Sequence, residues 1–236
     1  MNTQEPESKK ITVIGSPSGT FLEVHSIFPT IQGEGPFVGH PSLFIRLAGC
    51  NLQCPLCDTD YTSNRDYLTV SEVLYQVNEA FDKIPGKLVV ITGGEPFRQQ
   101  IGPLVEALLH FDYEVQIETN GTIYQPLPFE DEKLTLVCSP KTGSIHSKLL
   151  PHIKVLKYVG TANSLSDIDG LPLWALDHPA APELFRAPLP HQLVYLQPAD
   201  EKDLIKNQKN LDAVVKSCLK HGHLLCLQIH KIVGVE

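Results

Sequence analysis

No apolar run in the 236 residues reaches the roughly 18 that a membrane-spanning helix requires. The opening MNTQEPESKK is polar and lacks the apolar stretch of a secretory signal, so a cytoplasmic chain is expected. Basic residues are also short: 19 Lys and Arg face 27 Asp and Glu, for a net charge of −8. That balance argues against broad binding of a nucleic-acid backbone and leaves room only for a local basic pocket around a small anion. There is no internal repeat, no low-complexity linker and no second Cys-x2-Cys pair. The last absence matters most, because six cysteines remain to be explained. Disulfides are rare in a reducing compartment, where a tight cysteine cluster more often binds metal or does redox chemistry.

The rest of the composition is that of an ordinary globular chain, 42% hydrophobic and 19% charged. Residues 1–20 carry excess Pro, Ser and Gly and are expected to form an extension, with at most one short strand at KKITVIG. Residues 21–236 are expected to form a single domain. Within it β-rich runs recur: LEVHSIF, LFIRLAG, LVVIT, EVQIET, LTLVCSP, VLKYVG, LVYLQP and LLCLQIHKIV. Helical patterns separate several of them: SEVLYQVNEAFDKI, GPLVEALLHF and DEKDLIKNQKNLDAVVKSCLKHG. Thr69 and Glu72 have capping-box spacing ahead of the first, and Gly222 is placed to end the last. Short apolar strands alternating with helices predict a parallel sheet covered by helices. A closed eightfold barrel takes about 250 residues. This chain spends part of its length on the extension and on a Pro-rich stretch, 171–190. The predicted fold class is therefore α/β: an incomplete β/α barrel of about six parallel strands, open on one side.

In such folds ligands gather at the carboxyl ends of the strands, and the unusual residues fall there. LFIRLAG runs into Cys50, Cys54 and Cys57, LVVIT into Gly93-Gly94-Glu95-Pro96, and EVQIET into Asn120-Gly121. LTLVC leads to Ser139-Pro140-Lys141, and LVYL to Gln197-Pro198. The isolated Cys138, Cys218 and Cys226 sit in apolar runs and read as small core residues. Three clustered thiols do not close a metal site. A structural zinc would need a fourth ligand, for which His25 or His40 could serve. A cubane iron–sulfur cluster, normally held by four thiolates, would keep one iron free to coordinate something else. A glycine pair after a strand lets backbone approach closely, and the Glu95 carboxylate could accept hydrogen bonds from an ammonium group.

The Cys-x3-Cys-x2-Cys spacing together with Thr92-Gly93-Gly94-Glu95-Pro96 resembles the radical S-adenosylmethionine enzymes. That resemblance implies a 4Fe–4S cluster on Cys50, Cys54 and Cys57, with S-adenosylmethionine on the fourth iron as a source of hydrogen-abstracting radicals. The residue before the third cysteine is commonly aromatic in these enzymes, and here it is Leu56. The run EVHSIFPTIQGEGPFVGHPSLFIRLAGCNLQCPLCDT, with IETNGT, CSPK and QIHK further on, resembles the 7-carboxy-7-deazaguanine synthases of queuosine biosynthesis. These form homodimers and convert 6-carboxy-5,6,7,8-tetrahydropterin to 7-carboxy-7-deazaguanine with ring contraction and loss of ammonia.

The resemblance assigns Ile31, Gln32, Gly33, Glu34 and Thr92 to substrate contact, and Thr59 to a magnesium ion that also meets the substrate carboxylate. Gly94, Ser139, Pro140, Lys141, Gln197, Pro198, Ala199 and Asp200 match positions that hold S-adenosylmethionine. It also implies an electron donor of flavodoxin or ferredoxin type and a terminus, Glu236, that closes on the substrate. From the residues themselves, Arg46 is suited to fork a carboxylate, and Gln32 and Glu34 to match a pterin's amide and guanidine-like edge. Glu118 and His230 are further candidates for substrate contact or proton transfer. A glycyl-radical-activating enzyme, which acts on a protein partner, and a zinc-binding module remain as alternatives.

Overall fold

Continuous apolar character makes the central strands. LVVITG, Leu88–Gly93 (β4), buries its first four residues on both faces of a sheet, so it shows no alternation. The computed structural model describes residues 21–55, 57–175, 183–186 and 192–235. The KKITVIG run, Leu56 and Glu236 lie outside the described residues, as does most of the second half of the Pro-rich stretch.

Among the described residues nine strands form one sheet in the order β3-β1-β2-β4-β5-β6-β7-β8-β9. Around β4 stand β2 (Pro41–Leu47), β5 (Glu114–Thr119), β6 (Leu134–Cys138), β7 (Val155–Gly160) and β8 (Leu193–Pro198), all parallel to one another. A two-residue β9 (Leu224–Leu225) extends the parallel set, and the sheet does not close. The six longer parallel strands match the expected open half-barrel. At the other edge, β1 (Phe21–Ile31) runs antiparallel to β2, and β3 (Asp66–Thr69) antiparallel to β1. The sequence reading has no β3, because DYLT is short, polar and mostly exposed. It also takes LLCLQIHKIV as a strand. In the structure Leu224 and Leu225 are exposed edge residues, and the chain then turns into the short helix α4 (Ile229–Val233), capped by left-handed Gly234.

Three helices cross between parallel strands: α1 (Val70–Phe81), α2 (Gly102–His110) and α3 (Leu204–His221). Helix α1 starts where expected, since the Thr69 hydroxyl accepts from the Glu72 N–H while the Glu72 carboxylate accepts from the Thr69 N–H. Helix α3 ends at Gly222, whose φ of 78° is one that residues with a Cβ avoid. Val73, Leu74, Val77, Leu104, Leu108 and Val214 seal one side of the sheet, and Cys138, Cys218 and Cys226 are buried as read. Among the described residues no helix is long and apolar enough to cross a membrane.

Removing the first cap tests this frame. Thr69→Ala should lower the unfolding free energy by about 1 kcal/mol in urea titration, with an unchanged slope.

Candidate active site

The carboxyl ends of all six longer parallel strands open into one cavity of about 250 Å³. Arg46 enters from β2, Thr92 from β4, Glu118 from β5, Ser139 and Lys141 from the turn after β6, and Lys157 from β7. Gln197 from β8 and Ala199 and Asp200 beyond it complete that wall. The QGEG turn after β1 adds Gln32 and Glu34, and the C-terminal segment adds Gln228 and His230. Cys50, Cys54, Cys57, Thr59 and Gly94 line the same cavity.

Six of the sequence-read site residues stand differently. Ile31, Gly33, Pro140 and Pro198 do not line the cavity, and Glu236 lies outside the described residues. Glu95 is fully buried and is also missing from the lining. Its Oε1 accepts from Thr119 Oγ1 at 2.7 Å and Phe97 N at 3.0 Å, and its Oε2 from Asn120 N at 2.7 Å. With both oxygens bonded to protein donors, the carboxylate is a strut between the ends of β4 and β5.

The glycines beside it also act through protein contacts. A Cβ on Gly94 would lie 2.0 Å from Gly49 O, and one on Gly93 2.1 Å from Leu47 O. Only glycine lets the end of β4 press against the loop that starts the cysteine cluster. Gly94 N donates to Leu47 O at 3.1 Å, and Glu95 N to Gly49 O at 3.0 Å. A second tie runs from β5: Asn120 Nδ2 donates to Asn51 Oδ1 at 3.0 Å, and Asn51 Nδ2 to Thr122 Oγ1 at 2.9 Å. Gly33 is likewise required by packing, since its Cβ would fall 1.9 Å from His230 Nδ1.

The thiol set fits an iron–sulfur cluster better than zinc. The lining holds three cysteines and no fourth, while Cys138, Cys218 and Cys226 are buried elsewhere. His25 bonds Ser26 and Ser63, His40 bonds the Phe37 carbonyl, and neither lines the cavity. Burial pushes the Cys50 and Cys54 thiols up, and Lys141 partly offsets this at Cys54. A bound metal reverses that preference by deprotonating its thiol ligands outright.

Charged groups absent from the sequence reading dominate the opposite wall. Lys157 Nζ pairs with Glu34 Oε2 and, at 2.9 Å, with Glu118 Oε2. Burial alone would push Lys157 down, but Glu118 and Glu34 outweigh it and hold the ammonium well above its ordinary range. Burial would raise Glu34, yet Lys157 keeps it below the usual carboxylate range. Gln228 Nε2 bridges Glu34 Oε1 and Asp58 Oδ2, and Lys231 pairs with both Asp58 and Asp200. Arg46 lies over the Phe28 ring, 5.0 Å from its centroid. Lys157 falls in an apolar strand run, and Phe28, Asp58 and Gln228 in the stretches that carry the family resemblance, but nothing local gives their roles, because their partners lie far away in the chain.

An open parallel sheet with three thiols beyond its second strand defines a radical S-adenosylmethionine protein, and the family model described as Radical SAM superfamily matches residues 44–137. A 7-carboxy-7-deazaguanine synthase of Rhodospirillum rubrum is 42% identical over 222 residues, covering 92% of this chain and 94% of its own. One from Rickettsia prowazekii is 42% identical over 230 residues, covering 94% and 92%. The chain belongs to the 7-carboxy-7-deazaguanine synthase family. The crystal structure of QueE from Escherichia coli shares the fold at a TM-score of 0.65 and 22% identity, covering 88% of this chain and 94% of that one.

The Glu95 strut gives a direct test. Glu95→Ala orphans two backbone N–H groups and one hydroxyl, and should cost about 3 kcal/mol or more of stability in thermal or urea unfolding. Glu95→Gln keeps the volume but points an NH2 at a backbone donor, and should fall between Ala and wild type.

Proposed function

We infer that this chain converts 6-carboxy-5,6,7,8-tetrahydropterin to 7-carboxy-7-deazaguanine, contracting a ring and releasing ammonia, in queuosine biosynthesis. The observation that carries the inference is kinship at 42% identity across 92% of the chain to an enzyme of that name. Cys50, Cys54 and Cys57 would ligate three irons of a 4Fe–4S cluster, with S-adenosylmethionine lying along Gly94, Ser139, Lys141, Gln197, Ala199 and Asp200. When bound, cluster and S-adenosylmethionine supply the power to abstract hydrogen from an unactivated carbon.

The protein's own groups bind and orient. Arg46, steadied on Phe28, forks the substrate carboxylate. Glu34 and Glu118 accept from the N–H donors of the pterin's pyrimidine edge. Gln32 is 1% exposed, and its Nε2 finds no partner among the described residues, which suits donation to the ring carbonyl. His230, packed on Gly33 and lowered by burial, offers a neutral imidazole for proton transfer. Thr59 would offer its hydroxyl oxygen to a magnesium ion, a donor type suited to that cation, which would supply positive charge for the substrate carboxylate. The functional unit would be a homodimer in the cytoplasm, with residues 21–236 as one domain and a flavodoxin- or ferredoxin-like electron donor.

After anaerobic reconstitution, the wild-type protein should carry iron with an equal amount of labile sulfide. Given S-adenosylmethionine, reductant, magnesium and the carboxytetrahydropterin, it should form the deazaguanine acid, detected by mass spectrometry. Cys50→Ala, Cys54→Ala and Cys57→Ala should each lose the visible cluster absorbance and all turnover. Thr59→Val should keep the cluster and require more magnesium for half-maximal rate. A colourless, sulfide-free wild type, or one inert towards the pterin, would sink the assignment.

A further inference from the structure

A buried lysine is satisfied by one carboxylate, and a second costs further desolvation without being needed for charge balance. Lys157 nevertheless holds two, with its side chain 7% exposed. The two come from different elements, Glu34 from the QGEG turn and Glu118 from β5. Each has its other oxygen fixed by an amide: Gln228 Nε2 donates to Glu34 Oε1 at 2.7 Å, and Gln116 Nε2 to Glu118 Oε1 at 2.9 Å. Carboxylate oxygens accept more than one hydrogen bond, so acceptor capacity remains on both. The pair leaves a surplus negative charge facing the cavity, next to Gln32 Nε2, which has no partner among the described residues. Two acceptors beside one donor are the complement of a planar edge that carries two N–H donors and a carbonyl.

We propose that Lys157 is a positioning residue: held between Glu34 and Glu118, it aims both carboxylates as a paired acceptor for the pterin's pyrimidine edge. This rests on the pterin reading above. Lys157 touches neither the thiols nor the cofactor positions in hydrogen-bonding terms, so its part is in binding rather than in hydrogen abstraction. The other charged or titratable groups around the pair are Asp58 from the cysteine loop, Lys141 after β6, Cys226 after β9, and His230 and Lys231 of α4.

The test uses the reconstituted full-length holoenzyme, with KM and kcat measured from pH 6 to 9 alongside fluorescence titration of the aromatic 6-carboxypterin. Wild type should bind with little pH dependence in that range. In Lys157→Met the chief offset to burial at Glu34 is gone and only the Gln228 amide still opposes it, so the carboxyl shifts upward and holds a proton more readily at the acid end of that range. Binding should weaken about 30-fold at pH 6 and recover as pH rises, with kcat within about threefold and iron content unchanged. Lys157→Arg restores the charge and should flatten the profile again. A Lys157→Met protein with wild-type KM, or with a pH-independent loss that Arg does not relieve, overturns the proposal. If Lys157→Met does not fold, Glu118→Gln serves: pterin binding about tenfold weaker and flat with pH supports the paired acceptor, and wild-type binding overturns it. Failure of the wild type itself to bind or turn over the pterin would count against the function and not against the lysine.

Discussion

The site depends on a contact that leaves no room for a side chain. The end of β4 meets the Leu47–Cys50 backbone at a separation only glycine permits, and two backbone hydrogen bonds hold it there. Glu95, immediately after the glycines, then ties the end of β4 to the end of β5 through two donors, Thr119 Oγ1 and Asn120 N, with Phe97 N as a local third. The cysteine loop therefore hangs from the sheet rather than floating above it, although it is a long connection with little regular structure of its own. A loop fixed in this way can present three thiols in constant relation to the strand ends, as a metal centre that must be addressed by a second ligand requires.

Polar chemistry is divided between two walls of one cavity. Beside the thiols stands Lys141, whose ammonium donates to Ser139 Oγ at 2.6 Å and is pushed down by burial. The facing wall holds Lys157 between two carboxylates, with Arg46 nearby on an aromatic ring. The cavity thus presents two different electrostatic surroundings within about 250 Å³. The net charge of −8 gives no hint of this, because the fields that matter come from a handful of buried groups.

What could be read from the sequence was whatever is local. Continuous apolar runs marked β4 through β8, Thr69 and Glu72 marked the start of α1, and Gly222 marked the end of α3. The thiols and most of the polar residues at the strand ends line the cavity, because a parallel sheet puts those ends together whatever the details. Misreadings came from contacts distant in sequence. LLCLQIHKIV has strand composition, but docking on the QGEG turn bends its second half into a helix. The structural part of Glu95 could not be read either, because only the fold brings Thr119 and Asn120 to its carboxylate. Lys157 sits in an apolar run that reads as plain strand, and its glutamates are 39 and 123 residues away.

The mouth of the cavity is built from nearly the full length of the described chain. Ile229 N donates to Gly33 O at 3.2 Å, and His230 occupies the space that a side chain at Gly33 would fill. Gln228 joins Glu34 to Asp58, and Lys231 joins Asp58 to Asp200, whose carboxyl is held at about 2, chiefly by that lysine. One short segment thereby touches the QGEG turn, the residue after the last cysteine and the turn after β8. These are partly exposed polar contacts, each worth little alone, and α4 buries no residue fully. A segment held this way closes the cavity without being welded to it. That suits an active site that must admit a planar substrate and then exclude water while a reactive centre forms.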